Sequence, residues 1–286
     1  MKYIFCDIDG TLYSPKIDDI PSSAKKAMKI ARENGNRIYL CTGRGLAECQ
    51  KYLGYDVDGF IFAAGALIYD SKKRIFDHPF LKSDVVKLKS MLHERNIGYV
   101  CEAMAGAYAD EKGMTAIMNY FCDPSVSYEK KYANAMSNGF YPEEYAHEDD
   151  PIYKICCYSN DLNQFTKLAS VLPDPYILTL TVRDPIYQNH CSEITNSYCT
   201  KSTGIKEVLK RHDAGFKDAI AIGDSANDIP MIRDCGLGIA MGNAFDDVKE
   251  IADFVTTDIL DNGIWNAFRK AGVLGNDSNL DTESGH

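Results

Sequence analysis

The sequence predicts an α/β protein, a doubly wound parallel sheet interrupted by an α+β insertion. Three observations predict it. Short apolar runs without polar alternation, such as Tyr3-Ile4-Phe5-Cys6 and Ala219-Ile220-Ala221-Ile222, suit strands buried on both faces of a parallel sheet. These runs alternate with stretches of helical periodicity. The rhythm then changes in the middle of the chain, which divides it into a first domain of residues 1–81 and 189–286 and an inserted unit of residues 82–188.

Taken in order, the first run ends in Asp7-Ile8-Asp9-Gly10-Thr11. In open α/β sheets ligands bind just past the carboxyl ends of strands, so these acids stand where chemistry is expected. Asp7 and Asp9 can face one small volume while Gly10 turns the backbone. Two crowded acids repel unless a cation or proton lies between them; the same residues also suit a plain turn. After Pro21, Ser22 and Ser23 open a helix in which Ala24, Ala27, Met28 and Ala31 recur at helical spacing, and Asn34-Gly35 stops it. Ile38-Tyr39-Leu40-Cys41 runs into Thr42-Gly43-Arg44, and Gly59-Phe60-Ile61-Phe62 into Ala63-Ala64-Gly65. A hairpin follows, with strands at 66–69 and 74–76.

In the insertion, Val85, Val86, Leu88, Lys89 and Leu92 mark a helix, and Ile97-Gly98-Tyr99-Val100-Cys101 a strand. Residues 123–151 are polar; their acidic runs, Glu143-Glu144 and Glu148-Asp149-Asp150, read more readily as a solvated face than as a site. A strand at 152–158, a helix carrying Leu162, Phe165, Leu168 and Ala169, and strands at 176–182 and 185–190 complete the unit. From Ser192-Glu193-Ile194 the α/β rhythm resumes. Lys201 heads a helix with Ile205, Val208 and Leu209, and the run at 219–222 enters Gly223-Asp224-Ser225-Ala226-Asn227-Asp228. A helix through Ile229, Met231 and Ile232 and strands at 237–241 and 254–256 follow; the polar tail after about residue 273 reads as frayed.

The 286 residues, 45% hydrophobic and 25% charged, are those of an ordinary globular chain with one or two domains. A formal net charge of −10 argues against nucleic acid or an anionic membrane as partner, but leaves a phosphorylated small molecule open. The apolar start is too short for a signal peptide, and no segment has the length to span a bilayer. Ten cysteines without a C-x-x-C pair, several of them in strand-like runs (Cys6, Cys41, Cys156, Cys157), read as free buried thiols in a reducing cytoplasm and not as a zinc site. None of the six histidines is placed as a ligand. Nothing in the sequence bears on oligomeric state.

Strand and helix ends thus carry a consistent set: Asp7 and Asp9, Thr42, Lys201, and Asp224 with Asp228. Carboxylates converging from distant segments make an oxygen-rich site of the kind Mg²⁺ prefers. A hydroxyl, backbone N–H groups and a lysine are what a transferring phosphoryl group needs, and a carboxylate can itself attack phosphorus. Thr42 also suits a turn, Lys201 a solvated helix start, and Asp224 and Asp228 the positive end of a helix. Arg44 suits a substrate contact and a surface position equally.

The set resembles the haloacid dehalogenase superfamily of phosphatases, whose four motifs match Asp7-Ile8-Asp9-Gly10-Thr11, Thr42-Gly43-Arg44, Lys201 and Gly223-Asp224-Ser225-Ala226-Asn227-Asp228. The insertion, with Ala240-Met241-Gly242-Asn243-Ala244 and Asp261-Asn262-Gly263, resembles the Cof-like subgroup with a large α+β cap on a Rossmann-like core. The resemblance implies Asp7 as nucleophile and Asp9 as acid and base, its carbonyl also on the metal. It implies Thr42, Gly43, Lys201 and Asn227 on phosphate, and Asp7, Asp9, Asp224 and Asp228 as the Mg²⁺ set, with Asp224 on the ion directly and Asp228 supporting it from behind. Arg44 and Arg183 become candidate substrate contacts, with Tyr99 and Glu102 as further cap candidates. Ala64 stands where relatives often have Asn, and Ser202 where the third motif often has Gly.

The expected function is hydrolysis of a small phosphorylated metabolite such as a sugar phosphate. A phosphomutase shares Asp7 and Asp9 but typically presents several cap arginines, and residues 82–188 contain only Arg95 and Arg183. A non-catalytic binding protein of this fold is expected to have lost one of the acids, and all are intact.

Overall fold

The computed structural model describes residues 1–123, 125–183 and 190–275. The chain begins β1 (Tyr3–Asp7), α1 (Ser22–Glu33), β2 (Arg37–Cys41), β3 (Gly59–Phe62), β4 (Leu67–Asp70) and β5 (Lys73–Asp77). It continues through α2 (Lys82–Glu94), β6 (Gly98–Ala103), β7 (Ala107–Ala109), α3 (Glu111–Phe121), α4 (Tyr128–Ser137), β8 (Phe140–Pro142), β9 (Ile152–Ser159), α5 (Leu162–Ala169), β10 (Tyr176–Arg183) and β11 (His190–Asn196). Last come α6 (Lys201–Arg211), β12 (Ala219–Gly223), α7 (Ile229–Asp234), β13 (Leu237–Ala240), α8 (Asp246–Ile251), β14 (Phe254–Val255) and α9 (Gly263–Lys270).

Two units result. The first comprises Met1–Gly43, Tyr55–Phe76 and the chain from Thr200 onward; the second comprises Arg44–Gly54 and Asp77–Cys199. The sheet of the first runs β14-β13-β12-β1-β2-β3-β4-β5. It is parallel from β14 to β3, and β4 turns antiparallel. β1 is buried at every residue, as an unbroken apolar run requires of a central strand. The register sets Cys6 opposite Ile222 and Asp7 opposite Cys41, so β12, β1 and β2 end side by side. This strand-end arrangement positions the site.

The second unit holds a sheet ordered β10-β11-β9-β6-β7-β8. Alternation along β9 sends Ile155 and Cys157 into one apolar cluster with Leu88, Leu92, Phe165 and Leu168 from α2 and α5. Cys156 joins the opposite cluster with Met114, Ile117 and Ala135 from α3 and α4.

Three readings of the sequence need correction. β11 pairs antiparallel with both β10 and β9, so Ser192-Glu193-Ile194 lies in the second sheet and not in the returning α/β rhythm. The polar stretch 123–151 contains helix α4, which buries only Ala135 and so shows little apolar periodicity. Val273 and Leu274 are buried, and the Val273 carbonyl accepts from Asn34 Nδ2 at 3.0 Å, so the chain is anchored to that point. Residues 185–189, read as part of a strand, and the tail from 276 lie outside the described residues. Among the described residues no helix is long and apolar enough to cross a membrane.

Candidate active site

The site is built where three adjacent parallel strands end. Asp7 closes β1, Thr42 follows β2, and Asp224 follows β12. Past Asp7 the chain turns back on itself: the N–H groups of Leu12 and Tyr13 both donate to the Ile8 carbonyl, at 2.9 and 2.7 Å. Gly10, at φ +84°, is required here, because a β-carbon would stand 2.4 Å from Asp224 Oδ2. Thr11 Oγ1 donates to Asp224 Oδ1 at 2.8 Å and ties the turn to the neighbouring strand end.

Lys201 is the first residue of α6, and its ammonium is fully buried. Nζ lies 2.5 Å from Asp7 Oδ1 and 2.6 Å from Asp228 Oδ1. Burial disfavours its charge, but Asp228 and Asp7 outweigh burial and hold its pKa above the ordinary lysine range. Asp228 Oδ2 accepts from the backbone N–H groups of Asp224 and Ser225, at 2.9 and 3.0 Å. Asp228 thus fixes the loop that presents Asp224.

Oxygens of Asp7, Asp224 and Asp228 all lie within 4.8 Å of one another. Burial pushes the Asp7 carboxyl well above its usual range; Lys201 opposes this, while Asp228 and Asp224 add to it. Asp224 rises to about 6, first through burial and then through Asp228 and Asp9, against Thr11 and Lys201. Fully ionised, three carboxylates beside one ammonium would leave two negative charges uncompensated, which is why Asp228 and Asp224 add to the rise of Asp7. These residues fit a hard divalent cation, in both donor type and charge.

Thr42 is buried, its N–H donating to the Ile61 carbonyl at 2.8 Å and its carbonyl accepting from Ala64 at 2.9 Å. Gly43 faces Asn227: a β-carbon at Gly43 would stand 3.2 Å from Asn227 Nδ2. Asp9 is half-buried and close enough to raise Asp224, but its side chain is outside the three-carboxylate group. Arg44 opens the segment assigned to the second unit, and the Arg183 side chain lies outside the described residues. Tyr99 donates from its hydroxyl to Glu143 Oε2 at 2.8 Å. Both Glu102 oxygens are engaged within the second unit.

One residue of this region escaped the sequence reading of the site. Asn243 Nδ2 donates to the Gly10 carbonyl at 2.7 Å, while its Oδ1 accepts from the Ile259 N–H at 2.9 Å. It follows β13, so the strand-end rule that selected Asp7 and Asp224 also points to it.

The family model described as haloacid dehalogenase-like hydrolase matches residues 4–268. A 5-amino-6-(5-phospho-D-ribitylamino)uracil phosphatase of Bacillus subtilis (strain 168), YwtE, is 28% identical over 279 residues, covering 92% of this chain and 96% of its own. A pyridoxal phosphate phosphatase of Escherichia coli (strain K12), YbhA, is 26% identical over 267 residues, covering 90% and 93%. The solved structure of BT1666 from Bacteroides thetaiotaomicron, described among phosphatases of the same superfamily, aligns with a TM-score of 0.77 and 25% identity over 96% of each chain.

Proposed function

The chain belongs to the haloacid dehalogenase-like hydrolases, and from that premise we propose that it is a Mg²⁺-dependent phosphatase acting on a small phosphorylated metabolite, a sugar phosphate or similar phosphomonoester. The observation that carries the reading is Lys201 Nζ bridging buried Asp7 and Asp228 beside half-buried Asp224, in one group of three carboxylates.

In this mechanism the Asp7 carboxylate attacks phosphorus and displaces the alcohol, which takes a proton from Asp9. The product is an aspartyl phosphate on Asp7. Asp9, now ionised, removes a proton from a water that attacks this phosphate, releasing inorganic phosphate and restoring Asp7. Lys201 holds the Asp7 carboxylate in one orientation and offers its charge to the phosphoryl oxygens. Thr42, the Gly43 N–H and Asn227 bind the other oxygens. Asp7, Asp224 and the Asp9 carbonyl would hold Mg²⁺, with Asp228 bracing the Asp224 loop behind them, and the ion would supply charge neutralisation to the phosphoryl group. Two of the relatives act on different phosphate esters of small molecules, which supports the substrate class and leaves its member to experiment. The ten free cysteines support a cytoplasmic location.

Phosphate release from a panel of phosphorylated metabolites, with Mg²⁺ and with EDTA, tests the reading. Turnover should require the metal. Asp7→Asn should abolish it with the fold intact, and Asp9→Ala should slow it by a factor of about 10²–10⁴, the usual contribution of a general acid–base. Full activity in Asp7→Asn would remove the proposed nucleophile.

A further inference from the structure

The second unit buries a charged cluster that takes no part in this chemistry. The register of β6 and β9 sets Glu102 opposite Lys154, and β11 adds Glu193. Lys154 Nζ lies 2.8 Å from Glu102 Oε1 and 2.9 Å from Glu193 Oε1. Cys156 Sγ also donates to Glu102 Oε1, at 3.1 Å. The other oxygen, Oε2, accepts from the backbone N–H of buried Gly45 at 3.1 Å, an N–H shared with Glu48 Oε1 at 3.3 Å.

Packing alone is a poor account of this arrangement. A buried lysine–glutamate pair is seldom more stabilising than apolar side chains of the same volume. One backbone N–H is satisfied by any neutral carbonyl. A carboxylate backed by a lysine gives that N–H a stronger, charge-assisted partner. The peptide so held follows Thr42-Gly43-Arg44 directly, and the chain passes from the first unit to the second between Gly43 and Arg44.

We propose that Glu102 is a positioning residue for the phosphate-binding turn: braced by Lys154, its carboxylate fixes the Gly45 peptide and so sets how Thr42-Gly43-Arg44 leaves β2. The proposal rests on the phosphatase reading for its effect on catalysis. The hold is also proton-sensitive. Burial first, then Glu48, raises Glu102 to about 7, against Lys154 and Cys156. The groups facing it are Glu48 from the segment 47–52, Lys154, Cys156 and Tyr158 from β9, and Glu193 from β11 by way of Lys154. Although burial disfavours its charge, Lys154 is held charged by Glu102 and Glu193. Cys156, through Cys191 and burial, and Tyr158, through burial, are held neutral. The Glu102 carboxylate therefore grips Gly45 fully above its pKa and loosens as pH falls through it.

Steady-state kinetics of the wild type and Glu102→Gln between about pH 5.5 and 8.5 test this. Glutamine keeps the shape and an acceptor but not the charge. It should raise KM on the order of ten-fold with kcat within about two-fold, the signature of lost substrate positioning. It should also shrink the fall in kcat/KM expected of the wild type between about pH 8 and about pH 6.5, leaving the fall at lower pH that Asp224, at about 6, contributes in both proteins. Unchanged KM and an unchanged profile would overturn the proposal, as would a loss confined to kcat. Hydrogen exchange of the wild-type Gly45 amide supplies a reading that needs neither a variant nor a substrate. Corrected for intrinsic rate, protection should be greater at about pH 8 than at about pH 6, on opposite sides of the carboxyl pKa; equal protection would refute the grip. A wild type that cleaves no phosphate ester but shows this difference would count against the phosphatase reading alone.

Discussion

At the scale of single residues, the loop after β3 shows how the site tolerates strain. Ala63 and Ala64 both adopt left-handed backbone, φ 46° and 53°, and Gly65 follows at φ +109°. Gly65 is needed, since a β-carbon there would stand 2.3 Å from the Thr200 carbonyl, just before Lys201. Ala64 is not needed in the same sense. A left-handed non-glycine residue costs roughly 1–2 kcal/mol, and Ala→Gly gives back roughly 0.5–1 kcal/mol in chain entropy. Ala64→Gly is therefore expected to raise unfolding free energy by up to about 1.5 kcal/mol, read from the urea midpoint; a lower midpoint would show that the Ala64 methyl packs more strongly than the strain costs. Sequence alone flagged Ala64 as a departure from a usual asparagine, a residue that accepts this conformation, but not the strain itself. The same contrast runs through the site. Asp7, Thr42 and Asp224 were legible because each ends an apolar run, and Lys201 because a cation at the start of a helix invites a reason. The Glu102–Lys154–Gly45 cluster was not, because it depends on the pairing register of β6 with β9, which no local spacing encodes.

At the scale of elements, α6 carries Lys201 to the carboxylates and is held by its own first turn. Thr200 Oγ1 accepts from the Thr203 N–H at 3.1 Å, while Thr203 Oγ1 accepts from the Thr200 N–H at 2.8 Å. Loss of such a cap costs typically about 1 kcal/mol. Thr200→Ala is expected to lower stability by that amount, and to raise KM as the first turn frays, whereas Thr200→Ser should restore both; thermal melts and kinetics of the pair decide it. Most elements of the first unit were legible, since buried parallel strands read as unbroken apolar runs. The second unit was harder. Along β11 burial alternates between half-buried Cys191, Glu193 and Thr195 and buried Ser192, Ile194 and Asn196, the pattern of an antiparallel strand. Residue type did not signal that alternation, because polar Ser192 and Asn196 share the buried face with Ile194 while Cys191 lies on the other. Helix α4 had no comparable signal, because its burial rests on one small residue.

At the scale of the whole molecule, the charge of −10 and the uncompensated carboxylates of the site act in the same direction: both favour a bound cation. A ligand that binds only the folded state stabilises it by RT ln(1 + [L]/Kd), or about 2.7 kcal/mol at a hundred-fold excess over Kd. Mg²⁺ should therefore raise the unfolding midpoint of the wild type, and EDTA should reverse the rise. Asp224→Asn separates this from a general salt effect, because its two consequences have opposite signs. Without the metal the variant loses a half-buried carboxylate that repels two buried ones and should be at least as stable as the wild type. With Mg²⁺ it lacks a proposed ligand and should gain little, so the order of the two proteins reverses between EDTA and Mg²⁺. Added salt without a divalent ion screens charge in both proteins and cannot produce that reversal. Parallel melting curves, with Mg²⁺ stabilising both proteins equally, would move the cation away from Asp224 and end the proposed role of that residue.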